Sequence, residues 1–185
     1  YIADTAVKNG AFSLDMPANA QTGMYRLVYA VPQEEFYFDF IYNGKEDIVL
    51  SFDSQKGLSF ISSTENLLYA RYFNEIHGLE KQITQFYSEQ KKDRNLLLNL
   101  NQKLAAVQKS FETQSQGMLS GHFISANRPY IASGYEDAET YMKHKREHYF
   151  DALDFNDQVL QGSDFLKDKV VNYVFTALPN HQLAN

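Results

Sequence analysis

Neither cysteine nor tryptophan occurs among the 185 residues. Without cysteine there can be no disulfide, no thiolate zinc site and no sulfur nucleophile, while the redox compartment stays undetermined. Without tryptophan the strongest platform for stacking on a sugar ring is missing. No apolar run approaches the roughly 18 to 20 residues needed to cross a bilayer, so the chain reads as soluble. There is no Gly-rich phosphate loop and no G-x-S-x-G elbow, which leaves nucleotide and acyl-transfer chemistry without a starting motif. The net charge is only -6, with 22% of residues charged, so nucleic acid is not an expected partner.

What is present is apolar and aromatic. Hydrophobic residues make up 44% of the chain, with 13 Tyr and 14 Phe. A chain of this length buries roughly 70% of its unfolded surface on folding, so a core forms without staples. Most Phe residues fall on the parity or stripe that periodicity assigns to the interior, and core is therefore their expected place. The chain starts at Tyr1, with no basic n-region or apolar h-region, so any export signal is expected to have been removed or to lie outside it.

The first third alternates with period two. Tyr25 to Tyr29, Phe36 to Tyr42 and Ile48 to Phe52 each keep one parity apolar, as half-buried strands do, with Leu58 to Ile61 completing the set and a shorter strand expected near Ala11 to Asp15. The pattern predicts an antiparallel meander of about four or five strands. Asn43-Gly44 suits a two-residue hairpin, and Asp53 to Gly57 offers a second turn. Phe36, Phe38, Phe40 and Tyr42 share one face, and Tyr37, Asp39 and Ile41 the other, so a covering layer is required.

From Ser62 the period changes. Ser62-Ser63-Thr64-Glu65 fits a capping box that would start a helix, and Leu68, Tyr72, Ile76, Leu79, Ile83 and Phe86 continue it as a stripe. After the polar break at Gln90 to Arg94, Leu97, Leu100, Leu104, Val107 and Phe111 predict a second long helix packed back against the first. Further helices are predicted over Gly117 to Asn127, from a capping box at Ser133 to Glu136 through Tyr149, and over Asp164 to Leu178, with Leu166, Val170, Tyr173, Val174 and Ala177 on one side. The fold class is thus α+β: an N-terminal antiparallel β-sheet over residues 1–61, an all-helical region of about four or five helices over 62–178, and a linker or tail over 179–185 after Pro179.

Chemistry-bearing patterns are few. His144-Lys145-Arg146-Glu147-His148 matches H-x-x-E-H, in which two imidazoles one helical turn apart hold zinc while the glutamate serves the metal-bound water. Lys143, Lys145 and Arg146 oppose a divalent cation there, and no third ligand is evident, so a solvated basic helix face is the stronger reading. Asp154, Asn156 and Gln158 fail as a calcium loop, because Val159 stands where the turn glycine belongs and Phe165 where a bidentate Glu is needed. Glu34, Glu35, Asp4 and Asp15 are acids at strand ends or in loops with no visible partner. No catalytic, cofactor-binding or metal-binding residue is assigned on these grounds, and no cofactor is expected.

Gly10 to Leu14, Thr22 to Leu27, Asp39 to Asn43, Asp47 to Leu50 and Ser62 to Asn66 resemble the N-terminal β domain of unknown function that precedes thioredoxin-like domains of the AhpC/TSA or TlpA type in exported bacterial proteins. His148 to Phe155, Leu160, Phe165-Leu166 and Lys169 to Val174 resemble the helical region that joins such a domain to its thioredoxin partner. The resemblance implies a C-terminal thioredoxin-like domain whose C-x-x-C motif carries the redox chemistry, a place in the cell envelope or periplasm, and leading strands before Gly10. It also implies a non-enzymatic accessory module for this chain, one that positions or dimerises the redox domain, with a homodimer allowed. The alternatives are a free-standing glycan- or peptide-binding protein, or a zinc hydrolase using His144, Glu147 and His148.

Overall fold

The computed structural model describes residues 2–177 and is α+β, with four strands preceding the helices. The strands are β1 (Gly23–Val28), β2 (Tyr37–Tyr42), β3 (Val49–Asp53) and β4 (Gly57–Ser62). The helices are α1 (Thr64–Ser88), α2 (Arg94–Gln114), α3 (Leu119–Ala126), α4 (Ala138–Glu147), α5 (Gln158–Gln161) and α6 (Phe165–Asn172), followed by a π-helical turn over Tyr173–Ala177. The expected tail at 179–185 and the last expected helical residue, Leu178, lie outside the described residues.

The strands form two separate antiparallel ribbons, β1 with β2 and β3 with β4, instead of one meander. Asn43-Gly44 is consequently not a hairpin: β2 turns back on β1 through residues 29–36, where Tyr29 N–H donates to Phe36 O at 3.0 Å. Gly44 does adopt a positive φ of 68°, but the turn delivers Glu46 to the start of α1. The strand expected near Ala11 to Asp15 reduces to a single bridge between Lys8 and Ala11.

Both faces of the first ribbon are used. Ile41, on the mixed face, is buried with Phe123, Ala126 and Leu160, so the helices cover this side. Phe38, on the aromatic face, stacks on Phe52 of the second ribbon, and Tyr29 lies 4.4 Å from the same ring. Aromatic contact, not a hydrogen-bond ladder, joins the ribbons.

The helical stripes form the main core. Tyr72, Ile76, Ile83 and Phe86 of α1 interlock with Leu97, Leu100, Leu104 and Phe111 of α2, with Ile124 and Tyr141 closing the ends. Each such side chain contributes roughly 1.5–3 kcal/mol when fully buried, which is why packing holds these helices. Buried Tyr72 also places its hydroxyl 2.9 Å from Gln108 Oε1 and 3.0 Å from Asn127 O.

Helix starts depart from the expected boxes by short distances that matter. The N-cap of α1 is Ser63, whose Oγ accepts from Asn66 N–H, so Glu65 points inward instead of back along its own turn. At α4 the cap is Asp137, which accepts from Thr140 N–H at 2.8 Å. That helix ends at Glu147, short of Tyr149, because Tyr149 and Phe150 turn away to pack on Tyr173. In α6, Val170, on the apolar side that periodicity marked, is 42% exposed. The stem of Lys169 takes that place, with its ammonium 5.5 Å from the Tyr149 ring centroid and 5.8 Å from that of Phe165.

Candidate functional site

Three polar clusters stand out in the molecule, the first two built on partners distant in sequence and the third on nearer ones. The first is a pair of carboxylates that close helix N-termini from outside. Glu46 Oε2 accepts from Thr64 N–H and Thr64 Oγ1, each at 3.0 Å, while Oε1 accepts from Ser63 Oγ at 3.0 Å. These bonds favour the ionised form, led by the Thr64 amide, and hold the carboxyl below its ordinary range. Glu65 is buried and accepts from Leu119 N–H at 3.1 Å and Ser120 N–H at 2.8 Å. Helix α3 needs this help because its N-cap, Met118, has no side-chain acceptor.

The second cluster centres on Arg26. Its guanidinium meets Asp39 through two bonds of 2.8 and 2.9 Å, then reaches Asp164 and Asp168 at 3.1 Å each, with its carbon 3.7 Å from the Tyr37 ring centroid. The Asp39 hydrogen bonds raise its pKa further above the ordinary arginine range. This hub ties α6 to the first ribbon, and the void beside it holds only about 30 Å³.

The third cluster contains the histidines of the H-x-x-E-H string. Glu136 Oε1 accepts from Tyr130 Oη at 2.7 Å and lies 2.8 Å from His144 Nδ1. His148 Nδ1 lies 2.6 Å from Asp151 Oδ2, and its ring stacks on Tyr130 at 5.5 Å with an interplanar angle of 8°. Desolvation, helped by Glu136, pushes the Tyr130 phenol above its ordinary range, and the neighbouring Tyr87 is pushed up to about 12 chiefly by burial.

The zinc arrangement is not assembled here. The two imidazoles stand with centroids 6.2 Å apart, each Nδ1 held by its own carboxylate, and Glu147 lies outside the cluster, 53% exposed and 3.8 Å from Lys143. Among the described residues no group of three or more His, Asp or Glu side chains is placed to hold a metal ion. A groove of about 420 Å³ lies between α1 and α2, lined by residues such as Gly78, Leu79, Ala106 and Val107.

Of the other singled-out acids, Asp154 accepts from Asn156 N–H in a local turn, while Glu34, Glu35, Asp4 and Asp15 are exposed. Glu46, Glu65, Arg26 and Glu136 were not legible as site residues, since the partners described above sit 6 to 142 positions away. The sequence did mark Glu65 and Glu136, but as local capping-box glutamates.

Large apolar side chains are exposed at many points of the surface, two stretches among them. On and after α6, Val171 is 45% and Phe175 70% exposed, beside the packed rings of Phe150, Phe155 and Tyr173. On the ribbons, Val28 is 45%, Val31 85% and Ile61 63% exposed. No protein-family model matches the sequence, and comparison with curated proteins and with solved structures finds no match.

Proposed function

We propose that the chain is a non-catalytic accessory module of an envelope thioredoxin-like thiol–disulfide oxidoreductase, and that it positions the redox domain by offering it an apolar docking face. The observation that carries the reading is the run of exposed apolar side chains at the end of the helical region, Val170, Val171 and Phe175, 42%, 45% and 70% exposed. Apolar side chains grouped in this way lower the free energy of a partner that covers them. Phe175 also stands at the end of the helical region, where the resemblance places the junction with the redox domain. The absence of cysteine fits a division of labour in which the C-x-x-C belongs to that other domain.

Two measurements test this. The reading frame that carries the chain is expected to encode a C-x-x-C motif within about 150 residues, roughly one domain, after Asn185. In the joined protein, Val171→Ser with Phe175→Ser is expected to raise amide exchange at the junction and to slow disulfide reduction, without unfolding α1 and α2. A frame without that motif, or turnover by this chain alone, overturns the reading.

A further inference from the structure

A two-stranded ribbon has two edges, and in β1–β2 they are treated differently. The ladder runs from Gly23↔Tyr42 to Val28↔Tyr37 without a register shift. The bond from Tyr29 N–H to Phe36 O fixes its phase: odd-numbered residues of β1 pair inward, and Met24, Arg26 and Val28 turn their N–H and C=O outward. On β2 the outward residues include Ile41, and there the edge is closed, because the Asn66 carboxamide accepts from Ile41 N–H at 2.7 Å and donates to Ile41 O at 2.8 Å. On β1 the outward backbone groups of Met24, Arg26 and Val28 have no hydrogen-bond partner among the described residues.

That open edge also lacks the usual protections. It carries no lysine, no proline and no bulge, and its one charge, Arg26, is folded back onto Asp39, Asp164 and Asp168. The other ribbon differs, since β3 and β4 shift register between Val49 and Leu50.

We propose that β1 pairs with β1 of a second copy of this chain, antiparallel across a two-fold axis, to make a four-stranded sheet in the order β2-β1-β1-β2. The strand is self-complementary in one register, centred on Arg26. Met24 then stands opposite Val28 of the second copy, and Tyr25 opposite Leu27, so both faces gain apolar pairs and every outward N–H and C=O finds a partner. The two Arg26 side chains meet at the centre, each already surrounded by more carboxylates than its own charge requires. A second copy brings this edge with matching spacing and chemistry on both faces, which an arbitrary extended peptide does not. The pairing deepens the interaction-module reading and rests on it only in taking the chain to act through its surfaces. It needs no redox domain.

Sedimentation equilibrium on the chain up to about 1 mM, the weak end of specific association, is expected to show a monomer–dimer equilibrium. Val28→Pro removes an outward N–H and no bond of the ribbon itself, so it is expected to weaken the dimer at least about tenfold while leaving the unfolding curve in place. Met24→Cys with Val28→Cys supplies the second readout in a background free of other thiols. Within one strand these positions are about 13 Å apart and cannot bridge, whereas across the proposed register their Cα atoms come to about 5.5 Å. Oxidation is therefore expected to give a covalent dimer. A chain that stays monomeric, a dimer indifferent to Val28→Pro, or a dimer that fails to cross-link overturns the proposal. A monomer that still docks a thioredoxin-like domain through Phe175 would leave the functional reading standing.

Discussion

The side chain of Asn66 occupies both backbone groups of Ile41, and in doing so it fixes the first ribbon to the start of α1. The same amide nitrogen lies 2.8 Å from Ser63 Oγ, so one buried residue serves a strand edge and a helix cap together. Asn66→Ala strands a buried N–H and a buried C=O, each worth about 1–3 kcal/mol, and a loss of about 3 kcal/mol is expected. Urea unfolding measures it, and the Ile41 amide should lose its exchange protection ahead of the α1–α2 core.

Glu46 makes stability depend on acid pH. Its carboxyl titrates below its ordinary 4.5 because the folded state donates hydrogen bonds to the anion, first from the Thr64 amide. A folded-state pKa below the unfolded one contributes stability that is fully present above the unfolded value and disappears as pH falls through the folded one. Glu46→Gln is expected to cost about 0.5–1 kcal/mol at neutral pH, the usual worth of an anion at a helix N-terminus, and nothing once the wild-type carboxyl is protonated. Denaturation midpoints of the two proteins should therefore converge on acidification.

Two glycines inside helices should respond to alanine in opposite ways. A Cβ at Gly121 would lie 2.5 Å from the backbone oxygen of Ser115 and 3.3 Å from its hydroxyl, so Gly121→Ala is expected to cost about 1–3 kcal/mol. At Gly78 nothing stands within 4 Å, and Gly78→Ala is expected to add about 1 kcal/mol by helix propensity alone. Thermal unfolding of the pair distinguishes them by sign.

The Arg26 hub predicts a local effect. Arg26→Lys keeps the charge but cannot hold Asp39 by two bonds while reaching Asp164 and Asp168, and a cost of about 1–2 kcal/mol is expected. Amide exchange should speed up across α6 and leave α1 and α2 unchanged.

Periodicity was enough for the long helices, because Leu68 to Phe86 and Leu97 to Phe111 repeat at helical spacing and packing rewards that repeat directly. It was enough for four of the strand positions too, though not for the strand expected near Ala11 to Asp15, and it did not give their partners. Parity says that Phe38 and Ile41 face opposite ways, and says nothing about whether β2 pairs backward with β1 or forward with β3. At Ser62 to Asn66 three successive hydroxyl residues offered rival caps, and the shift of one position to Ser63 turned Glu65 from a local cap into a distant one. In α6 the hydrocarbon stem of Lys169 supplies a buried contact that a charged residue does not announce. The histidine string was visible in the sequence, whereas Glu136 and Tyr130, which decide its surroundings, lie outside the motif.

The carboxylate of Glu46 seals α1, and that of Glu65, one step along, seals α3. Asp157 continues the series: it stands 2.7 Å from His122 on α3 and accepts from Val159 N–H at the head of α5. The consequence is a set of helix starts tied to one another by carboxylates: Glu46 reaches α1 from the preceding loop, Glu65 on α1 reaches α3, and Asp157 caps its own helix while holding α3 through His122. Excising the ribbons would leave α1 frayed at its head, and grafting the helices onto another scaffold would require carrying the loop at Glu46 with them.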